Sequence, residues 1–338
     1  MKAHTLVRTG AASAAFELRE MPKPIPAAGQ LLIRVEAFGL NFADVIARHG
    51  KYRDAPPLPA VLGYEVVGRV ESAGAGVDRF KTGDRVTAFT RFGGYAEYAV
   101  TDARAAAIIP EEMDPGVAAA LATQYCTAVF CAEEMVNLHA TDHVLIQAAA
   151  GGVGTALTQL CKRKGCTVYG TAGSEEKRKY ILANGADYAF NYKTQDFAAE
   201  IKKLHPAGLD IVFDSVGGKT FSRSNALLSA GGRIVTYGAA EQMDKKTIFG
   251  SIRLLLDFGF TNPVFLLMKS KSIIGVNMLR IADSRPDILQ RCLQRVVELA
   301  QKNEIRPHVG GRFSSAQLAE AHAFLESGKS TGKILVSW

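Results

Sequence analysis

The stretch 147–160, QAAAGGVGTALTQL, places Gly151, Gly152 and Gly154 between a short apolar run and a segment of helical period. In a strand–turn–helix unit the first turn gathers helix N–H groups and the positive end of the helix dipole into one small volume, which suits a phosphate. Side chains there would block a pyrophosphate. Gly151 and Gly152 remove them, and Gly154 also lets the helix pack closely on the sheet. A tight turn that binds nothing would use the same glycines. The spacing Ala148-x-x-Gly151-x-x-Gly154 falls short of the full GxGxxG, and no Lys-Ser/Thr follows it, which excludes an NTPase phosphate loop. A further strand about twenty residues on supplies the context a dinucleotide requires.

The end of that second strand reads YGTAGSEEKRKY, with no acid in the strand itself. A ribose with two free hydroxyls usually meets a carboxylate here, whereas a 2′-phosphate needs donors and a cation. The Ser174 hydroxyl and the Lys177 ammonium, beside Gly173, would grip a 2′-phosphate and so favour NADPH. The same residues are also an ordinary helix start, with Ser174 as N-cap and Glu175 and Glu176 on the dipole, and those glutamates would serve NADH.

The elements that position these residues alternate. From about residue 142, DHVLIQA, CTVYGTA, YAFNY, LDIVFDS and GGRIVTYG read as strands, with helices such as VGTALTQLCKRK, SEEKRKYILANGA and FAAEIKKLH between them. Strands joined by helices of this length run parallel with right-handed crossovers, so the expected fold class is α/β with an open doubly wound sheet. Residues 1 to about 125 differ. QLLIRVEAFGL, VVGRVESAG, DRVTAF and GYAEYAV are short β segments separated by Gly, Pro and Asp turns. The chain closes with two helices and a strand, GKILVSW. The segmentation predicts one β domain from both chain ends, 1–125 and 286–338, around an inserted nucleotide-binding sheet at 126–285.

Composition narrows the function classes. The 338 residues suit two domains, and 48% hydrophobic with 22% charged residues is ordinary for a globular protein. The net charge of +7 is spread without aromatic interleaving, so nucleic acid is not an expected partner. Five cysteines without a CxxC pair read as reduced thiols, and the expected location is the cytoplasm. The apolar stretch 251–268 carries Arg253, Asp257 and Pro263 and is not expected to span a membrane.

AAAGGVG, together with GYEVVGRV, GDRV, GGYAEY and NFADV in order along the chain, resembles the medium-chain dehydrogenase/reductase superfamily, and more narrowly its zinc-free NADPH:quinone oxidoreductases. LATQYCTA and the apolar insert at 242–271 are most similar to the branch containing the vesicle amine transport protein. The resemblance implies a GroES-like β domain formed by both chain ends around an inserted Rossmann domain. It also implies a homodimer formed through the last Rossmann strand, here SIIGVNML at 272–279.

The resemblance carries site residues over position by position. Zinc-dependent members use a cysteine and the histidine of a Gly-His-Glu motif; here Asn41 and Tyr64 stand in those places, and neither suits zinc. No cysteine lies between 1 and 125, so the structural zinc is not expected either. Without a Lewis acid, the expected reaction is hydride transfer from the nicotinamide to an acceptor that is already electrophilic, a quinone or an α,β-unsaturated carbonyl. Asn41, Tyr52 and Tyr64 are the candidate donors to its oxygen, and Asp44 and Gln124 the candidate orienting groups. Asn41 and Asp44 could equally belong to a helix start, and Tyr64 could simply fill space. For the cofactor, Gly151, Gly152, Val153 and Gly154 match the pyrophosphate loop. Gly173, Ser174 and Lys177 match the 2′-phosphate contacts, and Tyr192 the adenosine side. Gly217 and Gly238 lie near the nicotinamide ribose, and Lys333 in the tail that returns to the cofactor cleft. Two other functions stay open: an alkenal double-bond reductase with a greasy pocket walled by the insert, and a membrane- or partner-binding protein that keeps the nucleotide fold as a scaffold. Attachment to a membrane surface is the less expected of these, because the insert also suits a covered core element or a dimer interface.

Overall fold

The computed structural model describes residues 1–240 and 262–338, so residues 242–261 of the apolar insert lie outside the described residues. In chain order the strands are β1 (Lys2–Leu6), β2 (Phe16–Glu20), β3 (Gln30–Leu40), β4 (Ala60–Val61), β5 (Glu65–Ala73), β6 (Arg85–Phe89), β7 (Tyr98–Asp102) and β8 (Ala106–Ile108). Then follow β9 (His143–Ile146), β10 (Thr167–Ala172), β11 (Tyr188–Asn191), β12 (Leu209–Asp214), β13 (Leu228–Thr236) and β14 (Ser272–Gly275), and finally β15 (Val309–Ser314) and β16 (Lys333–Ser337). The chain divides into two compact units, Met1–Cys126 with Met278–Trp338, and Thr127–Asn277.

In the first unit, one sheet runs β15-β16-β3-β5-β6-β8 with β7 also pairing β3, and a smaller one runs β2-β1-β4. The long strand β3 organises it. Residues 30–40 alternate well enough to keep Leu31, Ile33, Phe38 and Leu40 inside, and register shifts against β5 near Leu32–Ile33 and Val35–Ala37 bend the strand so that it serves several neighbours. The C-terminal strand β16 lies antiparallel to β3, with Ile334 opposite Leu40. Both chain ends therefore share one core, in which Leu6, Phe38, Tyr95, Ile334 and Val336 are fully buried.

The second unit is a six-stranded sheet in the order β11-β10-β9-β12-β13-β14, with every pairing parallel. The order reverses between β9 and β12. A doubly wound sheet binds its ligands outside the carboxyl ends of the strands at that point, and the glycine loop follows β9. The helix Gly152–Lys164 starts from an extended Gly151 and ends on Gly165 in the left-handed conformation. Its inner face, Leu157, Leu160 and Cys161, is buried.

One element escapes the sequence patterns. A helical run from Pro115 to Met135 is apolar over most of its length and long enough to cross a membrane, but 83% of its most apolar stretch is buried inside the fold. It is a core helix. Asp114 caps its start, accepting from the N–H groups of Gly116 and Val117 at 2.9 and 3.1 Å, and its turns widen to π spacing at Leu121–Tyr125 and Phe130–Met135.

Gly154 is where helix and loop meet most closely. A Cβ there would stand 2.6 Å from both the Ala148 carbonyl oxygen and Ala149 Cα, which are backbone atoms with no rotamer to change. Gly154→Ala is therefore expected to cost about 1–3 kcal/mol by overpacking. Differential scanning calorimetry should show the unfolding temperature falling by several degrees, and an unchanged scan would mean that the helix can lift off the loop freely.

Candidate functional site

In the first unit the site grows from the end of β3. Asn41 leaves that strand in an extended conformation and is the N-cap of the helix Phe42–Arg48. Asp44, three residues on, accepts the Asn41 backbone N–H at 2.8 Å. The helix-start role open to both residues is thus realised, yet the Asn41 side chain is occupied elsewhere. Its Nδ2 donates to Glu65 Oε2 at 2.6 Å, and its Oδ1 accepts from Lys333 Nζ at 3.1 Å. Lys333 Nζ also donates to the Leu40 carbonyl at 3.3 Å and is ion-paired with Glu65 Oε1. Asp44, Glu65 and Lys333 are each fully buried, while Asn41 is half-buried.

The antiparallel register of β16 on β3 sets Lys333 beside Asn41, where its ammonium is sealed from solvent and bound by three partners. Glu65, which sequence reasoning left out, is the residue that holds both Asn41 and Lys333. It opens β5 directly after Tyr64, and a charged residue ahead of the buried Val66–Val67 pair was the available signal.

Three further candidates, Tyr52, Tyr64 and Gln124, lie in the same unit. Tyr64 is buried and its hydroxyl has no hydrogen-bond partner among the described residues; its ring meets Tyr52 edge-on at 6.2 Å and Phe92 at 5.3 Å. Thr123 Oγ1 donates to the Tyr64 carbonyl at 3.5 Å, and the adjacent Gln124 is buried with its Oε1 lacking a partner among the described residues. Asp44 Oδ1 is likewise without one. Burial pushes both phenols up, with the nearby Asp44 adding to it. Burial also pushes the Asp44 carboxyl up to about 8; the Asn41 N–H opposes it, Glu65 reinforces it and Lys333 opposes it. Asp44 is therefore largely protonated at neutral pH.

The second unit carries the cofactor candidates. Gly151, Gly152 and Val153 are half-exposed at the start of their helix, and Gly154 is buried beneath them. First-turn N–H groups of a helix have no acceptor within it, so this end of the fold offers bare donors that an anion can fill. Upstream, Gln147 Nε2 donates to Ser224 at 2.9 Å, and the Thr171 hydroxyl donates to Gln147 Oε1 at 2.5 Å. This buried network ties the loop to β10 and to the helix Gly218–Ala226. At the end of β10, Ser174 caps the helix Glu175–Ala183 and accepts from the Lys177 N–H at 3.2 Å, which leaves its hydroxyl hydrogen to donate. Lys177 is half-buried, and desolvation draws its ammonium below the usual lysine range.

Tyr192 closes over the same turn. A Cβ on Gly173 would stand 2.6 Å from the Tyr192 hydroxyl and 3.5 Å from Lys193 Cε. Lys193 is thus a second cation at this turn, unnoticed in the sequence; its signal was a lysine at the end of the third Rossmann strand. Gly217, at φ +82°, starts the helix Gly218–Ala226, and the buried Asp214 carboxylate accepts its N–H and that of Val216. Gly238 packs on Ser215, where a Cβ would stand 2.8 Å from the carbonyl oxygen. Among the described residues no group of three or more His, Cys, Asp or Glu side chains is placed to hold a metal ion.

Residues 27–111 match the family model for the alcohol dehydrogenase GroES-like domain, and residues 152–295 match that for zinc-binding dehydrogenase. The synaptic vesicle membrane protein VAT-1 homolog of Homo sapiens is 35% identical over 324 residues, covering 95% of this chain and 82% of that protein. A quinone oxidoreductase of Rattus norvegicus is 34% identical over 316 residues, 93% of this chain and 90% of its own length. Among solved structures, the Escherichia coli quinone oxidoreductase complexed with NADPH superposes with a TM-score of 0.87 at 26% identity, over 100% of both chains.

The state of Asp44 sets a pH dependence. Its folded pKa, about 8, lies above the ordinary value of 3.8, so the fold binds a proton that the unfolded chain releases. The stability this group allows is fully present below about pH 4 and is lost as the pH rises toward 8, at about 1.4 kcal/mol per pH unit at most. Asp44→Asn cannot ionise and keeps an acceptor for the Asn41 N–H. Its stability relative to wild type should therefore climb between pH 5 and pH 8 in urea unfolding; parallel pH curves would show that Asp44 ionises freely in the fold.

Proposed function

We propose, from the premise that this chain belongs to the quinone oxidoreductase family of the medium-chain dehydrogenase/reductase superfamily, that it reduces quinones or α,β-unsaturated carbonyls with NADPH and without zinc. It is an oxidoreductase of the quinone reductase type. One observation supports the substrate assignment: the Tyr64 hydroxyl and Asp44 Oδ1 are buried in one unit without partners among the described residues, beside an Asn41 amide that is only half-buried. Buried polar atoms left unpaired are costly, and a substrate carbonyl oxygen would accept from the Tyr64 hydroxyl and from the protonated Asp44. Asn41 and Tyr64 serve as donors to its oxygen, Tyr52 adds a flat face and a second hydroxyl, and the protonated Asp44 holds a proton close by.

Bound NADPH supplies the hydride. The residues that fit it are the half-exposed Gly151, Gly152 and Val153 for the pyrophosphate, and Ser174, Lys177 and Lys193 for the 2′-phosphate, with Tyr192 beside them and Gly217 and Gly238 on the ribose side. With Asn41 and Tyr64 in the positions where zinc-dependent relatives carry metal ligands, stabilisation of the developing negative charge falls to hydrogen bonds. Five buried cysteines, none of them in a disulfide, suit a reducing compartment such as the cytoplasm.

The chain is also proposed to work as a homodimer. Among the described residues β14 lies at the open edge of its sheet, and the preceding helix Pro263–Lys269 exposes Leu267 and Met268 by 81% and 75%. An open edge beside an apolar helix face suits a second copy of the chain. Sedimentation equilibrium should give twice the chain mass, and Leu267→Glu with Met268→Glu should return the monomer; a wild-type monomer would refute this assembly.

The function is tested by titrating the protein with NADPH and with NADH, following nicotinamide fluorescence, and then adding 1,4-naphthoquinone. Oxidation of bound NADPH without added metal is the expected result. Charge-assisted bonds to a phosphate are worth about 1.5–3 kcal/mol, so Lys177→Ala should weaken NADPH binding by roughly ten- to a hundred-fold and leave NADH binding unchanged. Cofactor binding with no turnover on any quinone or enone would support a nucleotide-binding scaffold instead, and equal losses for both cofactors would remove Lys177 from the 2′-phosphate.

A further inference from the structure

We propose that Glu65 and Lys333 are positioning residues: their buried ion pair, seated over Gly39, clamps both ends of the Asn41 side-chain amide and fixes which of its faces is presented to a ligand. The geometry is reciprocal. Glu65 Oε2 accepts from Asn41 Nδ2 at 2.6 Å, and Lys333 Nζ donates to Asn41 Oδ1 at 3.1 Å while paired with the other Glu65 oxygen. An amide rotated by 180° would set its oxygen on the carboxylate and its NH₂ on the ammonium, two repulsive contacts in place of two charge-assisted bonds. The orientation is therefore decided by electrostatics. One Nδ2 hydrogen is consumed by Glu65, and the other has no acceptor among the described residues.

Stability alone does not account for this arrangement. Both charges are fully buried, and an apolar pair of similar volume usually serves a fold as well or better. The pair also forces a second concession. Gly39 sits within β3, where glycine weakens a strand, yet a Cβ there would overlap Glu65 Oε1 and Lys333 Cε. Three strands, β3, β5 and β16, thus accept unfavourable residues at one place, and what they jointly hold is Asn41.

The consequence for turnover rests on the proposed donor role of Asn41; the clamp itself does not, and the test separates the two. The double variant Glu65→Gln/Lys333→Met removes both charges and so leaves no lone buried ion. It should fold, bind NADPH with an unchanged dissociation constant, and reduce 1,4-naphthoquinone with kcat lowered at least tenfold. In an Asn41→Ala background the same double change should alter kcat less than twofold. A wild-type kcat in the double variant, or an equal loss in both backgrounds, would overturn the inference. The Asn41 side-chain amide signals in NMR, assigned by their loss in Asn41→Ala, give a readout independent of turnover. They should exchange slowly with solvent in the wild type and rapidly in the double variant; unchanged exchange would overturn the clamp even if kcat fell. A wild-type kcat in Asn41→Ala would refute the donor role alone, leaving the amide signals to decide the clamp. If the double variant does not fold, Gly39→Ala, which keeps both charges and forces them apart, should give the same losses.

Discussion

Lys333 and Glu65 meet where no water reaches them, and an ion pair of that kind holds only if each charge finds further partners in fixed places. The first unit is arranged around meeting that condition. The lysine comes from the last strand, the glutamate from β5, and the remaining bonds from the end of β3, so residues nearly three hundred positions apart share one hydrogen-bonded knot. Removing one partner from such a pair costs on the order of 3–5 kcal/mol, a large fraction of the 5–15 kcal/mol that holds a whole domain. Here the return of the C-terminal segment to the N-terminal core is enforced by a charge as well as by apolar contacts such as Ile334 against Leu40. The bare backbone at Gly39 and the fixed amide of Asn41 follow from the same pair.

Much of this architecture was legible before any coordinates, and the failures have physical causes. β3 could be read because 30–40 carries a strong β pattern between turn residues, and the Rossmann strands because short apolar runs alternate with helices at regular intervals. Their parallel pairing follows from crossovers of helical length. The helical run 115–135 was invisible because it is buried on nearly every side: PGVAAALATQYCTAVF has no polar face to mark a period. The burial of Lys333 was hidden for the opposite reason. A lysine after Thr-Gly near a chain end reads as exposed, and only the register of β16 on β3 reveals the carboxylate waiting for it. Lys193 was missed because its relevance depends on the end of β11 folding over Gly173. Residue type and local spacing show which groups can do chemistry, but a pairing across strands distant in sequence has no local signature.

The buried polar atoms without partners complete a consistent pattern. A fold normally satisfies nearly all such groups, and this one satisfies Asn41, Lys333 and the Asp214 carboxylate with care. Tyr64, Asp44 and Gln124 are among the residues of this unit whose buried polar atoms lack partners among the described residues, together with Arg48, His322 and Trp338. Asp44 shows what the location costs, since burial holds its carboxyl protonated at a pH where an ordinary aspartate is fully charged. Residues that destabilise an otherwise well-satisfied core are those whose polar atoms are left for something else to meet.

The charge balance of the cluster also bears on which acceptor suits it. Lys333 is cancelled by Glu65 and Asp44 is held neutral, so the surroundings of Asn41 present oriented donors and no net positive charge. Hydride transfer to a simple aldehyde would leave an alkoxide, an anion about as basic as hydroxide, and such a charge calls for a neighbouring cation or an immediate proton. Hydride transfer to a quinone leaves a phenolate-like oxygen, whose acid form titrates near tyrosine at about 10, and an enone leaves an enolate that spreads the charge over carbon and oxygen. Neutral donors suffice for either, because most of the stabilisation is intrinsic to the product. For the proposed reduction, an electroneutral site built on an amide and phenols would suit conjugated acceptors through the basicity of what it must stabilise, independently of the shape of any pocket.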